Sequence, residues 1–236
     1  MARGDHNEPM NVVFIPGSGL DGEDAWPVQV GMVSEHLQPV FLNHSPLNHE
    51  SLLDPTEAVF RALGAEGGHL VAHSSGAVAA TLVAASRPNL VRSLVLFEPA
   101  CLSLARGGPE VERHVTAMRP VFETATDPTV DDGEFGARFL DALGAPRPLP
   151  PAEALVEMGR RLRAVPPPWD YGEDAEFLGV VPTLVVTGGW NALYDEVADA
   201  LVSAGASRTV LAGHGHRPQD HEQAPHVLES HWAMVG

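Results

Sequence analysis

The sequence of 236 residues predicts an α/β fold, a mostly parallel sheet with helices on both faces and a helical cap insertion. Short apolar runs alternate with stretches of helical spacing, which is typical of βαβ units and a parallel sheet. The alternation stops between 102 and 178, where ten prolines occur and strand-like runs are missing. It resumes at 182. We therefore expect residues 1–101 and 179–236 to form the core and residues 102–178 to form the inserted helical cap.

Six short runs, most of them apolar, are predicted to be strands, the first of them buried, because turn-forming residues bound them. The first run enters a glycine-rich loop, Pro16-Gly17-Ser18-Gly19, and the third leads directly into a helix. The predicted strands are residues 11–15, 39–42, 69–72, 93–97, 182–187 and 208–211.

The helices are predicted from apolar spacing and from residues that begin or end helices. Asp54 followed by Pro55 marks a start, as a cap residue followed by a first-turn proline. Pro88 marks an end, because the residue before a proline avoids the helical conformation. Trp26 and Val30 begin an apolar pattern with helical spacing that continues to Leu37. The predicted helices are residues 26–37, 55–63, 76–86, 152–162, 194–203 and 225–234.

Composition limits the partners and the location of the protein. The 31 acidic residues outnumber 14 basic ones, all arginine, and a net charge of −17 argues against nucleic acid or an anionic membrane surface as partner. The single Cys101 excludes an intrachain disulfide and fits a reducing compartment. The first nine residues are polar without a following apolar region, and no run approaches 18 apolar residues. We therefore expect a cytoplasmic protein that acts on a small molecule; its oligomeric state stays open.

The segment 69–77 is the most informative about chemistry. It is an apolar strand that turns sharply into a helix of small residues, with Ser74 at the turn and the small residues Ala72 and Gly76 on either side. A serine in this place is exposed, has backbone N–H groups beside it and lies at the carboxyl edge of a parallel sheet. Those are the requirements for attack on an acyl carbon. The alternative is an ordinary turn in which the serine only caps the helix.

Together these motifs resemble the α/β-hydrolase superfamily, from Val12 to the end of the chain and interrupted by the cap. Pro16-Gly17-Ser18 matches its oxyanion loop, segment 72–76 its nucleophile elbow, and segment 213–218 the region of its catalytic histidine. The resemblance implies a compact α/β-hydrolase fold without the two N-terminal strands that many members have. It implies Ser74 as nucleophile, His216 as base, and the backbone N–H groups of Ser18, or nearby Gly19, and of Ser75 as oxyanion hole.

The third catalytic residue, the acid, has two candidates. Many members place an aspartate just after the strand that here ends at Thr187, where this chain has Asn191. Other members, haloalkane dehalogenases and some lactone hydrolases among them, take the acid from the end of the preceding core strand. This chain has Glu98 there, and we expect Pro99 to hold it extended. We favour Glu98 over Asp195, which is expected in the first turn of a helix. The alternative for Glu98 is a salt bridge to a cap arginine.

Two further sets of residues have competing interpretations. His214, His216 and His221 could form a metal site, but no second ligand set with defined spacing accompanies them, so we expect no metal. Four aromatic residues near the end of the cap or after a core strand are candidate walls of a substrate pocket, or are plain packing. They are Trp169, Tyr171, Phe177 and Trp190.

The resemblance implies a serine hydrolase that cleaves a carboxylic ester, lactone or thioester of a small, fairly apolar molecule through an acyl-enzyme, without a cofactor. The serine at the elbow excludes a dehalogenase or an epoxide hydrolase, which need a carboxylate there. Two alternatives remain. One is a lyase, cyclase or C–C bond hydrolase on the same scaffold. The other is a binding protein that has lost its chemistry, as Asn191 in place of the usual acid suggests.

Overall fold

Six parallel strands form one sheet at the centre of the molecule. The structure, a computed structural model, describes residues 9–32, 36–43, 56–145, 147–172 and 175–235. The sheet has the order β2-β1-β3-β4-β5-β6, and every pairing in it is parallel. This confirms all six predicted strands. They are β1 Met10–Ile15, β2 Leu37–Phe41, β3 Gly68–His73, β4 Val91–Phe97, β5 Thr183–Thr187 and β6 Ser207–Val210.

The order of the strands determines where a site can form. Strand β1 lies between β2 and β3, so the chain first adds a strand on one side of β1 and then continues on the other. In parallel sheets, a crevice opens at the carboxyl ends of the strands where the direction reverses in this way. The loop after β1 and the turn after β3 border this crevice, and they contain Ser18 and Ser74.

Seven α-helices are present among the described residues. Five of the six predicted helices are confirmed, although Asp54 and Pro55, which marked the start of one of them, lie outside the described residues. The helices are α1 Glu57–Leu63, α2 Gly76–Ser86, α3 Pro109–Phe122, α4 Asp132–Leu143, α5 Ala152–Arg163, α6 Ala192–Ser203 and α7 Ala224–Val235. None of the helices in this part of the chain is long and apolar enough to cross a bilayer.

The predicted helix at 26–37 is wrong for the part that the structure describes; residues 33–35 lie outside the described residues. A short 3-10 helix, Gly22–Ala25, is followed by turns, and β2 already begins at Leu37. The polar Gln29 is fully buried and donates a hydrogen bond from Nε2 to the Gln219 carbonyl at 2.7 Å, whereas Val30 is 42% exposed. The apolar spacing therefore does not describe a buried helical face, because Val30 is exposed, whereas the polar Gln29 is buried together with Trp26, which packs on Phe14 at 5.3 Å.

Both faces of the sheet are covered, as predicted. Successive residues of a strand point to opposite faces, so Val13 packs with residues of α1 and α2, while Val12 and Phe14 pack with Trp26 and with Leu228 of α7. Burial on both faces explains why the inner strands β1, β3, β4 and β5 contain continuous apolar stretches rather than an alternating pattern.

Helices α3, α4 and α5 lie between β4 and β5, in the segment predicted to be a cap, for which we keep that name, and no strand occurs among its described residues. The ring of Phe122 packs edge-on against Phe135, Phe139 and Trp169, at centroid distances of 5.8, 6.2 and 5.2 Å. The carboxylate of Glu196 in α6 accepts hydrogen bonds from the first backbone N–H groups of α3, at 2.9 and 3.1 Å. The cap is therefore joined to the core at a helix N-terminus, where a negative charge is favoured.

A buried histidine makes the stability of the fold depend on pH. His69 of β3 is buried, with Nδ1 2.8 Å from the Ser93 hydroxyl. Burial, and then the neighbouring His231 and Arg92, lower the pKa of His69 to about 4. The unfolded chain, with a pKa near 6.5, therefore takes up the proton first as the pH falls.

We expect the free energy of unfolding to fall between pH 6.5 and about pH 4, with His69 contributing up to about 3 kcal/mol of the loss. Urea unfolding at a series of pH values measures this free energy of unfolding. The H69N variant, which can still bond to Ser93, should lose less stability over this range than the wild type. Equal losses in both proteins would contradict the assignment.

Candidate functional site

Ser74 lies at a strained turn between β3 and α2. Its φ is +52°, in the left-handed region that residues other than glycine rarely adopt. Its N–H donates to the Phe97 carbonyl at 3.0 Å, and its own carbonyl accepts from the N–H groups of Ala77 and Ala100 at 3.1 and 3.0 Å. These bonds hold the strained backbone. The turn also requires Gly76, since a Cβ there would lie 2.4 Å from the Pro16 carbonyl oxygen.

Three side chains from three separate loops meet beside this turn. The Ser74 hydroxyl lies 3.0 Å from His216 Nε2, and His216 Nδ1 lies 3.4 Å from Glu98 Oε2. The structure thus brings Ser74, His216 and Glu98 together in the order that proton transfer from serine to imidazole needs, with a carboxylate on the far side of the ring.

Glu98 is a buried carboxylate with several donors. Its side chain is 1% exposed, Oε1 accepts from the Gly188 N–H at 2.5 Å, and Oε2 accepts from Trp190 Nε1 at 3.1 Å. A buried carboxylate is costly unless such bonds compensate for the lost water. Its partners all belong to the core, and among the described residues it makes no salt bridge to a cap arginine.

The prediction that Pro99 holds Glu98 extended is wrong. The φ of Glu98 is +43°, the second left-handed conformation of a residue other than glycine among the described residues. The N–H of Glu98 still bonds to the Val186 carbonyl at 2.9 Å, so the residue follows directly on the β4–β5 pairing. The turn at Glu98 then lets its carboxylate reach the N–H of Gly188 in the loop after β5.

Neither Asp195 nor Asn191 reaches His216 in the structure. Asp195 lies in the first turn of α6, as expected, and forms an ion pair with Arg208. Asn191 is the N-cap of α6, and its side-chain oxygen accepts from the Leu193 N–H at 3.0 Å. The position after β5 that many superfamily members use for the acid therefore serves to begin a helix in this chain.

Two residues that the sequence did not single out hold His216 in place. His73 Nε2 donates to the His216 carbonyl at 2.7 Å, and burial, with His216 nearby, keeps the pKa of His73 well below its usual value, so the ring is neutral. The Tyr194 ring stacks on the His216 ring at 4.7 Å, and its hydroxyl lies 3.5 Å from Nε2. The position of His73 at the end of an apolar strand could have indicated that it lies near the site. Nothing in the sequence distinguishes Tyr194 from a packing aromatic.

Ser18 and Ser75 line the same cavity as Ser74. Ser75 is the residue before the first turn of α2, where the positive end of the helix dipole and its unpaired N–H groups lie. The loop after β1 approaches closely, because a Cβ on Gly17 would lie 3.0 Å from Ser74 Cβ. The backbone of the loop can thus face a group bound at Ser74. The role of both N–H groups as an oxyanion hole remains a prediction.

A cavity of about 790 Å³ opens above Ser74, between the sheet edge and the cap. Its walls are mainly apolar and include Met118 of α3, Leu143 of α4 and Met158 of α5. Asp21 and Arg161, which form an ion pair at 3.5 Å between core and cap, also border it.

Of the four predicted pocket aromatics, Trp169 and Tyr171 line this cavity. Phe177 and Trp190 do not, so the prediction for these two is corrected. Phe177 is buried in the main hydrophobic core. Trp190 is 44% exposed, and its indole N–H is directed to Glu98 instead.

The three histidines of the suggested metal site are used differently. His216 is turned to Ser74, whereas the rings of His214 and His221 pack against each other at 5.5 Å. His221 Nδ1 accepts a hydrogen bond from the Gln223 N–H at 3.0 Å. Within the described ranges, no group of three or more histidine, cysteine, aspartate or glutamate residues could hold a metal ion.

Solved structures with the same fold include several hydrolases. A carboxylesterase of the thaumarchaeon Nitrososphaera gargenis matches 99% of this chain and 93% of its own, with 13% identity and a TM-score of 0.65. A thermophilic esterase from Thermogutta terrifontis matches 96% and 90%, with 14% identity and a TM-score of 0.66. A haloalkane dehalogenase variant from Bradyrhizobium elkanii matches 99% and 91%, with 21% identity and a TM-score of 0.59. At such identities the likeness shows the fold alone.

The sequence itself gives the family. No curated protein sequence matches this chain. The model of the Alpha/beta hydrolase family matches residues 12–228, from the third residue of β1 into α7. This range covers most of the chain, including the cap and all three side chains that meet at the elbow. The chain therefore belongs to the alpha/beta hydrolase family.

Proposed function

We propose that this protein is a serine hydrolase that cleaves a carboxylic ester, lactone or thioester of a small, fairly apolar molecule through an acyl-enzyme. The observation that carries the proposal is the chain of contacts from Ser74 through His216 to Glu98 beside an apolar cavity. The proposed reaction needs no cofactor.

In the first half of the reaction, Ser74 Oγ attacks the substrate carbonyl carbon while its proton passes to His216 Nε2. The Glu98 carboxylate stabilises the imidazolium that forms and holds the ring by Nδ1. The N–H groups of Ser18 and Ser75 donate hydrogen bonds to the carbonyl oxygen, which becomes negatively charged. Loss of one such donor costs about 3 kcal/mol in the barrier. The leaving group then departs with the proton from Nε2.

In the second half, water attacks the acyl carbon and gives a proton to the same Nε2. The tetrahedral intermediate collapses, Ser74 regains its proton and the acid is released. Glu98 supports this step as it supports the first, because the imidazole becomes charged in both.

The side chains at the elbow also bear on the alternatives. A serine nucleophile does not suit dehalogenation or epoxide opening, although a dehalogenase shares the fold. The departure at Asn191 no longer favours an inactive binding protein, since Glu98 supplies a carboxylate to His216. A lyase, cyclase or C–C bond hydrolase would use the same three residues, so only substrate turnover separates it from an ester hydrolase.

The cavity supports an apolar substrate of moderate size. Its volume of about 790 Å³ lies within the usual range for sites that bind small molecules. Each CH₂ group buried there contributes about 0.8 kcal/mol to binding. The net charge of −17 favours neutral over anionic substrates on approach.

A series of p-nitrophenyl esters with acyl chains of increasing length tests the proposal. We expect turnover, with kcat/KM rising about fourfold per CH₂ group until the cavity is filled. A matched control is the S203A variant, which removes an exposed hydroxyl from α6 and should retain wild-type rates. A folded sample that hydrolyses none of the esters would contradict the proposal and favour the lyase, cyclase or binding alternatives.

A further inference from the structure

Tyr194 places a second hydroxyl beside the imidazole nitrogen that Ser74 faces. Its oxygen is 3.5 Å from His216 Nε2, and the Ser74 oxygen is 3.0 Å from the same atom. Tyr194 is buried among the protein's side chains, yet it lines the cavity. Its position in the first turn of α6 is fixed by the Asn191 cap and by the bond from its N–H to the Asn191 carbonyl at 3.2 Å.

Stacking on His216 needs the aromatic ring of Tyr194 but not its hydroxyl. A buried hydroxyl is costly unless it has a good hydrogen bond. In the described part of the chain, this one has a single partner, Nε2 at 3.5 Å. The neutral imidazole offers one lone pair at that nitrogen, and the Ser74 hydroxyl is closer to it. The phenol is therefore poorly satisfied in the free protein and available to a group in the cavity.

The reaction brings such a group to this place. After Ser74 attacks, Nε2–H must face the leaving-group oxygen at hydrogen-bond distance in order to give it a proton. The Tyr194 hydroxyl lies 3.5 Å from that nitrogen, so a leaving-group oxygen held about 3 Å from Nε2 on the side of this hydroxyl would be within its hydrogen-bond reach. Burial, with the charge of Glu98, raises the pKa of Tyr194, so its hydroxyl stays protonated and can donate.

We propose that Tyr194 is a further catalytic residue, which donates a hydrogen bond to the leaving-group oxygen of the substrate. The inference rests on the proposed function and narrows it to oxygen esters and lactones of aliphatic alcohols. When the bond from the acyl carbon to this oxygen breaks, the bonding electron pair stays on the oxygen, which takes the proton from Nε2. Tyr194 keeps its own proton and stabilises the charge that develops.

This assignment distinguishes substrates by their leaving group. An aliphatic alcohol leaves as a strongly basic alkoxide, which gains much from a donated hydrogen bond. A p-nitrophenolate is weakly basic and gains little. A thioester leaves through sulfur, which is a poor hydrogen-bond acceptor. The Tyr194 hydroxyl should therefore matter for ethyl esters and hardly at all for the other two.

The test compares the Y194F variant with the wild type on the p-nitrophenyl ester, the ethyl ester and the S-ethyl thioester of one acid. Phenylalanine retains the stacked ring. We expect kcat/KM to fall about 10- to 100-fold for the ethyl ester and less than about threefold for the other two. Labelling of Ser74 by a fluorophosphonate, which expels fluoride, should proceed at the wild-type rate in Y194F.

Equal losses on all three esters, or loss of labelling in Y194F, would assign Tyr194 to holding the imidazole and overturn the proposal. Unchanged rates on the ethyl ester would overturn it as well. A failure of the proposed function is distinct from these results, because the wild type would then neither turn over the p-nitrophenyl ester nor be labelled.

Discussion

Replacing Ser74 with alanine is expected to lower kcat for ester hydrolysis roughly 10⁴- to 10⁶-fold. Alanine has no oxygen to form the acyl-enzyme, and His216 Nε2 loses the hydroxyl that lies 3.0 Å from it. Binding in the cavity and the backbone donors would remain, so a small rate above that in buffer is expected to persist. Steady-state kinetics on the best p-nitrophenyl ester measures both the fall in kcat and the residual rate.

The S74A variant should remain folded, since the backbone bonds that hold position 74 do not involve its side chain. Circular dichroism and thermal unfolding check this, and S203A serves as the matched serine control. Turnover by S74A within about tenfold of the wild-type rate would contradict a covalent mechanism at this residue.

Replacing Glu98 with glutamine is expected to lower kcat roughly 10³- to 10⁴-fold. An amide does not carry the charge that stabilises the imidazolium, and its NH₂ group can face His216 Nδ1 and select the wrong tautomer. Glutamine also has one acceptor oxygen where the carboxylate has two, and these two accept from Gly188 N–H and Trp190 Nε1. We therefore expect E98Q to lower the melting temperature as well.

The D195N variant is the matched control, because it replaces the other candidate acid in the same way. Asp195 is engaged with Arg208 at a partly exposed ion pair, which contributes at most about 1 kcal/mol. We expect kcat to change less than about threefold. The reverse pattern, with a severe loss in D195N and little in E98Q, would assign the acid to Asp195 in the first turn of α6.

Much of the fold could be predicted because burial on both faces makes the centres of the inner strands continuously apolar. The runs that became β1, β3, β4 and β5 each contain three or four consecutive apolar residues and are followed by turns, so their positions could be predicted. The helix prediction for segment 26–37 failed although the apolar spacing of this segment fits a helix. The buried Gln29, bonded to a residue 190 positions away, could not be foreseen from local pattern.

The nucleophile and base could be predicted because each sits in a local motif, the elbow around Ser74 and the glycine-rich turn at His216. Glu98 could be predicted from its position at the end of an apolar strand. Its backbone conformation could not be predicted, because it depends on donors in a loop 90 residues further along the chain. Tyr194 was missed for the same reason, because its contact with His216 is made only by the tertiary fold.

Covalent labelling of the intact protein by a fluorophosphonate, followed by peptide mass spectrometry, tests the central claim most directly. Only an activated serine reacts with this reagent. We predict one adduct per chain, on the peptide that contains Ser74, and strongly slowed labelling in E98Q. No adduct on a folded sample, or an adduct on a different serine, would contradict the claim that Glu98 and His216 activate Ser74 as a nucleophile.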